Sequence, residues 1–259
     1  LRAVQILSRI HRELGVELGL HDLFGNATIA ELAQVVMVKE RAAGYAPIPL
    51  VAARPYYELS HGQRRLWILS RFAEGSLAYN VAGAYRIKGR LDIGSFKRSL
   101  KRIIARHESL RTVFITVDGV PVQKIIATAE FDSEIEEYDI RGVDGRYQAR
   151  AELETVFDLS GGPLLRTKLL RVEEEEYVLL LTLHHIITDG WSMEVIMREL
   201  MQLYSWYRRG EEDKLAPLQL QYKDYAHWQN ELLRSGSMEA HRTYWLNQFK
   251  GNIPVLELP

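Results

Sequence analysis

The sequence contains no cysteine, which excludes disulfides, a thiolate nucleophile and any Cys-containing metal centre. It also lacks a charge imbalance. Lys and Arg number 33 against 34 Asp and Glu, a formal net charge of −1, so there is no electrostatic footprint for nucleic acid or an anionic membrane. No apolar run approaches the roughly 20 residues needed to span a bilayer. The opening LRAVQILSRIHREL has no signal-peptide cleavage pattern and reads as helix, so a cytoplasmic location is the default expectation. What remains is an ordinary globular composition, 47% hydrophobic and 26% charged over 259 residues. That length bounds the chain to one or two domains.

Proline is scarce, with eight in the chain, but Pro47, Pro49 and Pro55 fall within RAAGYAPIPLVAARPYYE. Proline fixes φ and biases its predecessor toward extended conformations, so residues 41–55 read as a semi-rigid linker and the domain boundary. Before it, Val4, Ile6, Leu7, Ile10 and Leu14 fall near one helical stripe that Gly15 ends. Thr28 with Glu31 three residues on forms a capping-box pattern for a second helix. Two short helices bury little core, so residues 1–40 read as part of a domain.

Residues 56–259 mix strands and helices. NVAGAYRIKG alternates with period two, and DIGSFKRSLKRIIARHESL has helical spacing through His107. Asp118-Gly119 separates two β-rich runs, a hairpin signal. A helix is expected at 145–156, then the runs LLRTKLLRV and YVLLLTLHH. The second is apolar on both parities, as in a central strand covered on both faces. Between them Glu173–Glu176 reads as a solvated turn. Helices follow at 191–209, 222–234 and 237–250. The predicted fold is a mixed α/β sandwich with helices against a sheet.

The stretch LHHIITDGWS, residues 183–192, concentrates the candidate chemistry. Successive strand side chains point to opposite faces, so His184 and His185 cannot readily share a metal ion. Without cysteine, HxxxH or HExxH, no metal site is expected. Strand ends beside helix N-termini are where open α/β sheets place their sites. One histidine there can be structural and the other reactive. Asp189 has two readings, an N-cap of the following helix or a carboxylate paired with an arginine. Gly190 reads as a position requiring backbone freedom. Trp191 reads as a core tryptophan, with a place in a substrate channel as the alternative. Gln63, Arg65 and Trp67 read as fold-stabilising residues, and Tyr222, Asp224 and Trp228 as packing with a capping carboxylate.

HHIITDG resembles the HHxxxDG signature of condensation domains from nonribosomal peptide synthetases. LSHGQRRLWIL (59–69) resembles their SxxQxRLWxL motif, with Gly62 where alanine is usual. RHESLRTVF (106–114) resembles RHxxLRTxF, YKDYAHWQ (222–229) resembles YxDYAxWQ, and YWLNQFKGNIPVLELP resembles the segment leading toward the second half of that domain. LRAVQIL resembles the run after the phosphopantetheine-bearing serine of a peptidyl carrier domain, and LFGNATIAELA its last helix. Ser8, two turns into the helix, does not stand in for that serine, which would precede Leu1. No residue of this chain is therefore expected to bind the cofactor.

The resemblance implies a chloramphenicol acetyltransferase-like lobe over residues 56–259, preceded by a partial carrier over residues 1–40. It implies amide formation between a carrier-bound acyl thioester donor and the amine of a carrier-bound aminoacyl acceptor, with 4'-phosphopantetheine on the partner carriers. Upstream and downstream carriers, a second lobe and an adenylation domain are the implied partners, with no nucleic acid and no membrane. The chemistry is carried over to His185, as general base or as a group that positions the amine. His184, Asp189 and Gly190 support it, and Asp189 is expected to pair with Arg106 rather than Arg111. Without a second lobe, residues 1–259 alone are expected to be inactive. Two other readings stand beside this one: a CoA-dependent acyltransferase of the HxxxDG type and a non-catalytic carrier-binding module.

Overall fold

The computed structural model describes residues 2–39, 47–72, 75–131, 134–253 and 255. The chain divides into two compact units, residues 1–48 and 49–259. Residues 40–46, which include the first six residues of the expected linker, lie outside the described residues. The linker's other end is pinned to the second unit, where the Val51 N–H donates to Asp224 Oδ1 at 2.8 Å.

In the first unit, α1 (Arg2–Leu14) stops where Gly15 takes a φ of +69°, a conformation that favours glycine. Helix α3 (Ile29–Val38) begins with the expected reciprocal box: Glu31 N–H donates to Thr28 Oγ1, and Thr28 N–H to Glu31 Oε2. Between them lies α2 (Leu20–Gly25), which the sequence reading missed because six residues are too few to show helical periodicity. Asp22 holds it, accepting from Gly19 N–H at 2.7 Å and from Lys39 Nζ at 2.6 Å. Val16 and Leu18 are buried while Ile29, Met37 and Val38 are exposed, so the unit's core is small.

In the second unit β1 (Tyr57–Glu58) leads into α4 (His61–Leu69) and α5 (Gly75–Ala78). Next come β2 (Asn80–Lys88), α6 (Ile93–Arg106), a 3-10 turn at Glu108–Arg111, β3 (Thr112–Val117) and β4 (Val120–Ile125). Then follow β5 (Glu136–Asp139), α7 (Arg146–Glu154), β6 (Leu165–Glu173), β7 (Glu176–His184), α8 (Gly190–Arg208), α9 (Tyr222–Arg234) and α10 (Glu239–Gln248). The hairpin lies where Asp118-Gly119 predicts it. Both residues have positive φ, 50° and 78°, and β3 pairs with β4 around them. Positive φ at both central positions is what a two-residue hairpin turn needs.

Strand order in the main sheet is β2-β7-β6-β5. The run YVLLLTLHH is thus an internal strand, antiparallel to both neighbours. Leu179, Leu181 and Leu183 face the main core with Ile103 of α6 and Leu200 and Leu203 of α8. Leu180 faces the opposite layer with Ile140 and Leu170. Burial on both parities follows from having packed layers on both faces. On that second face Glu152 of α7 is buried and pairs with Arg166 and Lys168 of β6. Strand β5 was not foreseen. It pairs parallel with β6, and its polar EEYD, exposed throughout, carries no hydrophobic alternation.

Candidate active site

Strand β7 ends at His184, and the turn that follows separates it from His185. His184 is 1% exposed, and His185 is exposed on the first residue of the following turn. Backbone bonds fix both: His184 N–H donates to Leu164 O at 3.1 Å and His185 N–H to Tyr79 O at 2.8 Å. The turn is anchored below by buried Ile186 and Ile187. Gln63 Nε2 donates to Ile186 O at 3.4 Å and to Gln123 Oε1 at 3.3 Å. The SxxQ segment therefore sits under the turn that presents His185. Among the described residues no group of three or more His, Asp or Glu side chains is arranged to hold a metal ion.

His184 stands edge-on to Phe157, and its Nδ1 accepts the Ile186 N–H at 3.1 Å. Burial first, and the neighbouring His185 second, push its pKa down to about 4. The unfolded chain then binds the His184 proton between about pH 6.5 and 4 while the folded chain does not. Stability contributed by neutral His184 is complete above pH 6.5 and is lost as pH falls toward 4. The depression corresponds to about 3 kcal/mol. His184→Gln is expected to flatten the pH dependence of urea unfolding over that window; an unchanged slope refutes the burial argument.

Asp189 is the N-cap of α8. Its Oδ1 accepts from Ser192 N–H at 2.7 Å and from Ser192 Oγ–H at 2.6 Å. Burial alone would raise its carboxyl pKa, but the Ser192 bonds and nearby His185 outweigh it and hold the group below the usual carboxylate range. The capping alternative is the one the geometry realises, and the expected arginine pair is absent. Arg106 instead contacts Glu199 through Nε at 3.3 Å, and Arg111 Nη1 donates to Ile126 O at 2.6 Å. The expectation assumed one continuous helix through RHESLR. In fact α6 ends at Arg106, His107 takes φ −99° and ψ 103°, and a 3-10 turn follows, so both arginines leave the predicted directions. Asp189→Ala should cost about 1 kcal/mol in urea unfolding, with Asn or Ser retaining most of the stability because each can cap.

Two further expectations need correction. Gly190 is the first residue of α8, has no positive φ, and a Cβ there would meet nothing within 4 Å. Backbone conformation does not require glycine here. Gly190→Ala should fold with stability unchanged or raised, by up to about 1 kcal/mol; a measured loss refutes this. Trp191 is 38% exposed rather than in the core. It lines a cleft of about 120 Å3 with His107, Leu110, Ile187 and Ile196. As the second residue of α8 it stands at the helix mouth, where sequence spacing cannot distinguish a core from a rim position. Beside the site Tyr222 of α9 joins Ser60 Oγ at 2.9 Å. Its hydroxyl pKa is raised, first by burial. Asp224 closes the α9 cap on Gln221 N–H at 2.8 Å, in the capping role read from its spacing.

The layered α/β lobe with a histidine at a strand end matches the fold of condensation domains, of the chloramphenicol acetyltransferase-like kind. A chain in the complex of the X-domain and OxyB from teicoplanin biosynthesis superposes with a TM-score of 0.74 at 31% identity, covering 84% of this chain and 48% of that one. The starter condensation domain of rhizomide synthetase, at 22% identity and a TM-score of 0.69 over 77% of this chain and 49% of that one, shares the fold.

The condensation domain model matches residues 53–259 and the phosphopantetheine attachment site model residues 1–36. The chain belongs to the condensation domain family, preceded by a carrier segment. It is 40% identical both to bacitracin synthase 3 of Bacillus licheniformis and to gramicidin S synthase 2 of Aneurinibacillus migulanus. Both matches cover all of this chain. The chain spans only 4% and 6% of the length of those relatives.

Proposed function

We propose that the second unit contributes His185 to amide formation between two carrier-bound substrates within a nonribosomal peptide synthetase. The observation that carries this reading is the exposed His185 imidazole, held on a fixed turn next to the α8 N-terminus with the Asp189 carboxylate nearby. The acceptor's α-amine nitrogen attacks the donor's thioester carbonyl. The carbon–sulfur bond breaks, the amide forms, and the proton lost by nitrogen ends on the departing thiolate. A neutral imidazole can take and return that proton. An α-amine with an ordinary pKa near 7.7–8.0 is already neutral for roughly a tenth of its population at pH 7. Holding the amine at the thioester is then a second contribution. The Asp189 carboxylate stabilises positive charge that develops on the imidazole.

The phosphopantetheine arm supplies the thioester and reach when carried by the partner domains. Within residues 2–39 the one serine, Ser8, lies exposed inside α1 rather than at its start, which does not fit an attachment site. We assign the arm to carrier domains of the synthetase and not to Ser8. Upstream and downstream carriers, the remaining lobe and an adenylation domain complete the proposed module, in the cytoplasm. Among the described residues no helix is long and apolar enough to cross a membrane.

The test is dipeptidyl thioester formation by the intact module, followed by mass spectrometry, with the donor on a carrier or on CoA. Product from the carrier-bound donor alone supports the reading. Equal use of the CoA thioester would favour a free-standing acyltransferase, and no product from either would favour a carrier-binding module.

A further inference from the structure

A cavity of about 160 Å3 opens on the His184 side of the strand end, away from exposed His185. Trp67, Arg71, Phe114, Phe157, Asp158 and His184 line it. His184 forms the inner wall and is 1% exposed. Its Nδ1 is occupied by the Ile186 N–H, so the neutral ring carries its proton on Nε2. That Nε2–H has no acceptor among the described residues. His184 lines the cavity, so its Nε2–H is free to donate to an acceptor placed there.

The two serines of the wall are already engaged. Ser70 Oγ–H donates to Trp67 O at 2.8 Å. Ser160 N–H and Oγ–H both donate to Asp158 Oδ1, at 2.9 and 2.7 Å. Arg71 lies over the Trp67 ring with its guanidinium carbon 4.4 Å from the centroid. Arg71 and Asp158 are exposed at the rim, one charge of each sign, which gives no preference for an anion or a cation. The inner walls are aromatic and aliphatic, from Phe114, Phe157 and Leu159. A protein cavity of about 150 Å3 holds a benzene molecule, so the space suits roughly six to eight heavy atoms.

We propose that this cavity is a binding site for a neutral, benzene-sized organic group bearing one hydroxyl or carbonyl oxygen, which accepts the Nε2–H of His184. The group is either a free small molecule or the side chain of a tethered substrate.

The probe is 4-methylphenol, compared with toluene, which has the same ring and no oxygen. Binding to the folded chain is followed through the His184 Nε2–H resonance and its 15N shift. The phenol is expected to bind saturably, about three- to tenfold more tightly than toluene, as one added hydrogen bond provides, and to move the Nε2–H resonance downfield. Ser70→Phe, which places a ring in the cavity, is expected to abolish binding. Equal affinity for toluene, or an Nε2–H resonance unmoved up to the solubility limit, overturns the proposal whether or not that variant folds. Retained binding in a Ser70→Phe chain of normal thermal stability overturns it as well. Once binding is established, competition with amide formation by the intact module assigns the site to a substrate side chain, and its absence to a free ligand.

Discussion

Replacing His185 by alanine in the intact module is expected to lower the rate of amide formation by about 10²- to 10⁴-fold, the range for loss of a positioned acid–base group. Folding should be unaffected. The side chain is exposed, and the bond it contributes to the turn, N–H to Tyr79 O, comes from the backbone that alanine retains. Where the loss falls in that range reports the role. If the imidazole mainly holds an amine that is already partly neutral, the loss sits at the low end and His185→Gln recovers part of it, since an amide still hydrogen-bonds. If it carries the proton, glutamine recovers nothing and the acidic limb of the pH–rate profile disappears. Less than a threefold loss, with unchanged unfolding, would remove His185 from the mechanism.

What the sequence made legible was set by range. The Asp118-Gly119 hairpin, the Thr28–Glu31 box and the two-sided burial of YVLLLTLHH are decided within a few residues, and each appears in the structure. The motif LHHIITDGWS likewise predicted two histidines directed to opposite sides, because strand alternation is local. The misses depended on longer range. The pairing of Asp189 with Arg106 failed because His107 breaks the helix, and periodicity through KRSLKRIIARHESL gave no sign of the break. Glu199 was not foreseen at all. Its position on α8 gains meaning only when α6 is packed against it, although a glutamate on the apolar face of VIMRELMQL was a local signal that could have found it. Strand β5 is recruited by β6 through backbone pairing, which polar EEYD does not announce. Gln63 lay inside a recognised motif, but its bond to Ile186 O spans 123 positions.

Glu199→Ala is expected to be the most destabilising single change near the site, at about 3–5 kcal/mol. Glu199 is 6% exposed and receives two cationic or potentially cationic partners from the end of α6. His107 Nε2 lies 2.7 Å from Oε2, and Arg106 Nε 3.3 Å away with only 8% of its side chain exposed. Removing the carboxylate strands a buried guanidinium without its counter-charge, whereas water would solvate the same group at the surface. Glu199→Gln should cost less, because an amide oxygen still accepts from Nε or the imidazole. Replacing both partners, Glu199→Leu with Arg106→Leu, should recover most of the loss, since apolar groups then meet in a site already closed to water. The effect should also reach the chemistry, because α8 begins at the Asp189 cap beside His185. His107, held by Glu199, lines the same cleft as Trp191. Urea unfolding of the three variants decides the matter: a cost below about 1 kcal/mol for Glu199→Ala would mean that water reaches the cluster and that apolar packing of α6 on α8 alone fixes the helix start.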